Sequence, residues 1–196
     1  VRANAYQDSE LKTEVNLDGS IHLTDRLSTA TLLHFENRQT DHDGNDDGFM
    51  DMPKLRQYNI MHRWAYVSPR WISQLMVRAL HDERKGGQSL KHTNTDSAEL
   101  PYSTSVKTNR YEMQWKNGFT LNSDHNTSVA LMMHGSWHDA DNIFGMTQYD
   151  VTQKNGYAQL MFETDINEHN NISVGASLNH DYYDERFNPL GAMPDA

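Results

Sequence analysis

Apolar and polar side chains alternate along short stretches from about Glu14 to Tyr183, and tight turns alternate with long polar loops between them. A β-strand sends successive side chains to opposite faces, so this alternation predicts a sheet with one apolar and one polar surface. Between Ser128 and His138, Val129, Leu131, Met133 and Trp137 fall on one side. Ser128, His134, Ser136 and His138 fall on the other. Soluble sandwiches share that pattern, but the systematic long and short connections favour a transmembrane β-barrel.

Composition sets limits without deciding. Mean hydropathy is strongly negative and the formal charge is −10, figures that suit an acidic secreted protein equally well. No apolar run approaches the ~20 residues of a membrane helix. A barrel escapes that test because half of each strand faces a polar lumen. The chain has no cysteine, so disulfide frameworks, thiolate zinc sites and cysteine nucleophiles are excluded. Its acidity and unclustered Lys and Arg argue against nucleic acid as a partner, since phosphate neutralisation needs clustered cations.

The alternation divides into about eight strands. They run over Glu14 to Leu23, Leu27 to Arg38, Arg56 to Val67, Trp71 to Asp82, Thr108 to Asn117, Ser128 to His138, about Thr152 to Thr164, and from Ile172 on. Thr24-Asp25-Arg26, Ser68-Pro69-Arg70, Asn122-Ser123-Asp124 and Asn167 to Asn170 read as tight turns. Gln39 to Pro53 and Glu83 to Ser105, which contains Gly86-Gly87, read as long loops, and Asp139 to Met146 as a moderate one. Strands of about 10 to 12 residues suit a tilted bilayer crossing. Tyr66, Trp71 and Trp115 fall toward the tight-turn ends, and Tyr58, Trp137 and Tyr182 toward the long-loop ends. Two such aromatic belts match two membrane interfaces.

Eight strands could close into a small barrel. Instead, Val1-Arg2-Ala3-Asn4 reads as the middle of something, and Pro189 to Ala196 as a loop cut short. Arg63, Arg78, Arg110, Lys116, Glu112 and Glu163 point inward, which suits a wide lumen. The expectation is that residues 1–196 form one partial barrel domain, a contiguous slice of a larger barrel.

Asp41 to Asp51 holds the sharpest chemical motif. Counting from Asp43, it matches the first nine positions of an EF-hand calcium loop: Asp43, Asn45 and Asp47 alternate, Gly48 permits the bend, Phe49 offers its carbonyl, and Asp51 follows. Position twelve is Lys54 where a closing Glu belongs, so a Ca²⁺ site in the 39–53 loop would borrow ligands or water. Turn formers in a solvated acidic loop are the plain alternative. The eleven histidines form no chelating pattern; His134 and His138 share a face about 13 Å apart by strand rise. No G-x-S-x-G elbow, H-E-x-x-H, P-loop or dinucleotide fingerprint occurs, so no enzymatic role is expected.

Asp43 to Pro53, Gln57-Tyr58-Asn59, His62-Arg63-Trp64 and Arg78 to Gln88 resemble barrel segments of TonB-dependent outer-membrane receptors. The nearest likeness is to those of Bacteroidetes-type bacteria, including receptors similar to the vitamin B12 receptor. The resemblance covers most of the chain and is strongest between about residues 27 and 88. It implies a bacterial outer-membrane location, a 22-stranded barrel, and a plug domain that this chain does not show. It also implies energy-coupled import of a scarce large solute: cobalamin or another corrinoid first, then haem or a ferric siderophore. The implied partners are membrane lipid, the TonB complex acting through the plug, the solute, and a surface lipoprotein if one is used. Acidic outer loops of cobalamin receptors bind calcium, a role open here to Asp43, Asn45, Asp47 and Asp51. A passive or adhesive barrel and a secreted calcium-binding sandwich stand as alternatives, with a lipase-type barrel behind them for want of a nucleophile motif.

Overall fold

The computed structural model describes residues 1–89, 101–124 and 126–189. Within them the chain is all-β, a single antiparallel sheet in chain order. Its strands are β1 (Arg2–Gln7), β2 (Thr13–His22), β3 (Leu27–Arg38), β4 (Lys54–Val67), β5 (Trp71–Gly87), β6 (Ser103–Asn122), β7 (Thr127–Phe144), β8 (Thr147–Asn167) and β9 (Asn170–Pro189). Each strand pairs with its neighbours in sequence, so β1 and β9 are the two edges.

The register confirms the two-faced pattern. Leu17, Leu33, Ile60, Ala79, Tyr111 and Trp137 are successive cross-strand partners, and all lie on one surface. The opposite surface carries the row Asn16, His34, Asn59, Leu80, Arg110 and His138. No second layer covers the apolar surface among the described residues. Tyr111 and Leu160 are each 53% exposed and Leu178 is 72% exposed. Among those residues the only buried apolar side chain is Ala140, so this sheet is not half of a two-layer sandwich built from these strands.

Several polar groups on the apolar surface bond to immediate neighbours, while the buried Asn117 Nδ2 has no partner among the described residues. Both ring nitrogens of His62 lie within hydrogen-bond reach of hydroxyls, at 2.8 Å from Thr29 and 2.7 Å from Thr31. Trp115 Nε1 donates to Ser73 Oγ and Trp71 Nε1 to Asn117 Oδ1. Rings gather at the rims: Tyr66, Trp71 and Phe119 adjoin at the tight-turn end, and Phe35–Tyr58 and Tyr111–Trp137 at the other. Lys154 Nζ sits 5.6 Å from the Trp137 ring centroid and 5.7 Å from that of Tyr182. Trp115 departs from the expected belt; it lies inside the band, between Leu75 and Met133.

Connections at one end of the sheet are all short, at 23–26, 68–70, 123–126 and 168–169. At the other end they run over 8–12, 39–53, 88–102 and 145–146. The Asp139–Met146 loop expected from sequence is therefore a correction. β7 continues to Phe144 and turns through Gly145 and Met146, with Gly145 at φ 59°. Both faces are polar there, so the chain loses the apolar signal while the ladder continues. Likewise Gly86 and Gly87 belong to β5, and only 88–102 connects β5 to β6; residues 90–100 and His92, read as loop, lie outside the described residues. β1 was missed, because Ala3 and Ala5 give it too little apolar contrast.

The tight turns step sideways across the sheet. Phe35, Tyr58, His81, Asn109, Asp139 and Thr152 are mutual partners in one row. Measured from that row, the hairpins close progressively further away, at His22↔Ser28, Val67↔Ile72, Asn122↔Thr127 and Asn167↔Asn170. That slip is about 1.3 residues per strand, so setting the turns level tilts the strands by about 40° for a ~3.3 Å rise and ~4.8 Å spacing.

Gly87 marks where β5 leaves the regular ladder. Its φ is 115°, and a Cβ there would lie 2.3 Å from the Tyr102 carbonyl oxygen. Gly156, on β8, has nothing within 4 Å of its Cβ position. Gly87→Ala should therefore cost at least about 1–3 kcal/mol, against roughly 0.5 kcal/mol or less either way for Gly156→Ala. Thermal unfolding of the two variants checks the contrast; equal effects would contradict the geometry.

Candidate functional site

The 39–53 loop is organised by its own acidic side chains. Asp43 accepts from the amides of Asp47, at 3.2 Å, and Gly48, at 2.9 Å. Asn45 Oδ1 accepts from Asp47 N at 3.2 Å, and Asp47 Oδ1 from Phe49 N at 2.9 Å. Asp51 Oδ2 accepts from Gly44 N at 2.8 Å, while Asp51 N donates to the His42 carbonyl at 3.0 Å. Asp46 and Gly48 take left-handed backbone conformations, at φ 56° and 84°. Gly suits the second at no steric cost, which is why the bend falls there.

These bonds draw the five expected ligand residues, Asp43, Asn45, Asp47, Phe49 and Asp51, into one compact turn. The donor set is hard oxygen at alternate positions, which suits Ca²⁺. It is incomplete, since Lys54 occupies the closing position and its Nζ lies 3.9 Å from Asp41 Oδ2. Among the described residues, no group of three or more His, Cys, Asp or Glu side chains is gathered as a metal cluster. The carboxylates point at loop amides.

The loop also ties its neighbours together. Phe49 bridges Gln88, Met50 N donates to the Gly87 carbonyl, and Ser89 N donates to the Gly48 carbonyl. Ser89 is 1% exposed as a result. On the other side Thr40 Oγ1 donates to the Glu10 carbonyl, and His42 Nε2 lies 3.4 Å from Glu10 Oε1. Sequence reading missed these ties, because they join positions far apart in the chain. Nearby, Lys12 Nζ lies 2.7 Å from Glu36 Oε1. That hydrogen bond holds the Lys12 ammonium above its ordinary range. A raised lysine value stabilises the fold below about pH 10.5 and is lost as pH climbs through the raised value, so this tie persists through neutral and mildly alkaline solution.

The polar face holds a second constellation, centred on Glu112. Its carboxylate accepts from Arg110 Nη2 at 2.8 Å and Arg78 Nη1 at 3.3 Å, and His134 Nε2 lies 3.9 Å away. Arg78 Nε donates to Asn59 Oδ1 at 3.0 Å. Alongside, Asp82 accepts from Gln57 and Arg84. An open groove of about 500 Å³ runs over this network between His34 and His134. Arg78, Glu112 and Asp18 are the charged side chains that line it, and Arg110 reaches Glu112 from the adjoining position on β6. Arg63, Lys116 and Glu163 enter none of these pairs. Alternation had placed Arg63, Arg78, Asp82, Arg110, Glu112, Lys116 and Glu163 inward, whereas Arg84 read as loop and lies on β5; the pairing needs the register and could not be read from sequence.

Compared with protein-family models, with curated proteins and with solved structures, the chain matches none.

Replacing Glu112 by Gln removes the charge shared by Arg78 and Arg110. The side chains are 36% and 38% exposed, so solvent moderates the effect, and about 1 kcal/mol of stability should be lost. A double-mutant cycle with Arg78→Gln should give a coupling of at least about 0.5 kcal/mol. Strict additivity would show that the network is decorative.

Proposed function

We propose that this chain is a sector of a bacterial outer-membrane β-barrel belonging to an energy-coupled importer of a scarce, large solute. The observation that carries the reading is an uncovered apolar band on one face of a single-layer sheet. On β6 the band runs from Tyr111 to Leu121, and on β9 from Ile172 to Tyr182. At the ~40° tilt either span rises about 25 Å, the height of the lipid-facing band of outer-membrane barrels. Water does not tolerate so large a contiguous apolar surface. The tilt itself lies in the range of closed barrels.

Three further features support the reading. His62 with Thr29 and Thr31, Trp115 with Ser73, and Trp71 with Asn117 bond to one another within the band, as hydrocarbon surroundings favour. Aromatic rings crowd its two rims. The free edges of β1 and β9 suit further strands of a larger barrel, since an exposed 20-residue edge strand invites aggregation. The 22-strand count, the plug and the TonB complex come from the sequence resemblance, as do the preference for cobalamin and then for haem or a ferric siderophore.

In this reading the polar face lines the lumen and the 39–53 loop stands outside the cell. Ca²⁺ held by Asp43, Asn45, Asp47, the Phe49 carbonyl and Asp51 rigidifies that loop, so less ordering entropy is lost when the solute binds. The ties from this loop to Glu10 and to Gly87–Ser89 spread the rigidity to the neighbouring connections.

Leu160→Arg, at mid-band, should cost about 2–4 kcal/mol and block barrel assembly, whereas Gln159→Arg on the lumen face should assemble normally. Heat-modifiable mobility on gels separates the two; equal tolerance would remove the membrane assignment. Asp43→Asn with Asp47→Asn should weaken Ca²⁺ binding at least about tenfold by removing two ligand charges, read by calorimetry. Calcium chelation that leaves solute capture by the complete receptor unchanged would remove the ordering role.

A further inference from the structure

Above the apolar band, the same outward surface of β4, β5 and β6 turns basic. Lys54 and Arg56 extend the Tyr58 face of β4, Lys85 extends the His81 face of β5, and Lys107 extends the Tyr111 face of β6. Lys54 and Lys85 are direct cross-strand partners, a like-charge pairing that is unfavourable unless an anion compensates. Glu83 is the one carboxylate on these strand positions; it faces Arg56 and Lys107 across the register and lies 3.5 Å from His81 Nε2. Asp41 Oδ2 lies 3.9 Å from Lys54. Arg56, Lys85 and Lys107 are exposed. Beyond β6 the sign reverses, with Asp141 on β7 opposite Lys107 and Asp150 on β8.

Such a patch is out of character for a chain of formal charge −10. Its position is specific as well. Lys107 and Lys54 stand four residues beyond Tyr111 and Tyr58, about 10 Å higher at the strand tilt, which is headgroup depth above hydrocarbon. Directly below, small Ala79 between Ile60 and Tyr111 opens a groove of about 500 Å³, walled by Phe35, Tyr58 and Tyr111. Cations above an apolar groove fit a molecule with phosphate at one end and acyl chains at the other.

We infer that this surface binds a phosphorylated, multiply acylated glycolipid of the outer leaflet, its phosphates on Arg56, Lys85 and Lys107 and one acyl chain in the groove. This rests on the membrane reading above. The site lies on the outside of the barrel, away from the lumen and the 39–53 ligands.

Native mass spectrometry of the full-length protein in detergent tests it with two probes: bisphosphorylated lipid A and the same lipid stripped of phosphate. The variant Arg56→Gln/Lys85→Gln/Lys107→Gln should lose at least about tenfold in affinity for the phosphorylated lipid, as expected for three charge-assisted contacts, and bind the stripped lipid as before. Lys116→Gln, on the lumen face, should change neither, and an unchanged melting temperature shows that the triple variant is folded. Retention of phosphorylated lipid within about twofold by a folded triple variant would overturn the site. So would displacement of the lipid by inorganic pyrophosphate at equal concentration, which would point to a soluble anion. Failure of both lipids to bind the parent would also overturn the site, whereas the membrane reading itself stands or falls on the contrast between Leu160→Arg and Gln159→Arg.

Discussion

Backbone hydrogen bonds between neighbouring strands carry this fold, because the side chains supply almost no interior. Eight successive antiparallel ladders join nine strands, with register slips only near Asn122 and Asn167. A single layer of this kind has no core in which to hide its apolar residues. Something outside the sheet must take them, and the 20–33 cal/mol per Å² that apolar burial ordinarily contributes has to come from that outside phase. The molecule thus lacks the interior of a globular domain, with its apolar side chains on one surface of the sheet and its polar networks on the other.

That constraint orders the rest. Residues on the apolar surface settle their hydrogen bonds with immediate neighbours, as His62 does with Thr29 and Thr31. Ionic groups withdraw to the polar face, where Glu112 gathers Arg78 and Arg110, or to the long-connection end. There the strands outrun any plausible apolar slab: β8 has 21 residues and β9 has 20, whereas a tilted crossing needs about 9–11. The surplus extends the ladder toward the long-connection end, where the 39–53 loop is braced on Glu10 and on Gly87 to Ser89.

Much of this was legible in the sequence, for a physical reason. Period-2 contrast is strong wherever one face meets an apolar phase and the other meets water, so the middles of β3 to β9 and their facing residues could be assigned directly. The signal fails where both faces are wet. That is why Asp139 to Phe144 reads as loop yet continues the ladder, and why Ala3 and Ala5 did not betray β1. The acidic loop was visible because its chemistry is local, within nine residues of Asp43. The Glu112 knot, the brace through Gly87 and Ser89, and the basic patch from Lys54 to Lys107 depend on cross-strand register, which no window along one strand contains.

All four tryptophans of the chain, Trp64, Trp71, Trp115 and Trp137, lie on the apolar surface. Fluorescence quenching by phospholipids brominated along their acyl chains, measured on the membrane-reconstituted protein, therefore reads the central claim directly. Strong quenching, deepest for Trp115 and shallower for Trp71 and Trp137, is the outcome the proposed membrane setting predicts. Tryptophans untouched by bromine, and shielded equally from aqueous iodide, would mean that a second protein layer covers the sheet.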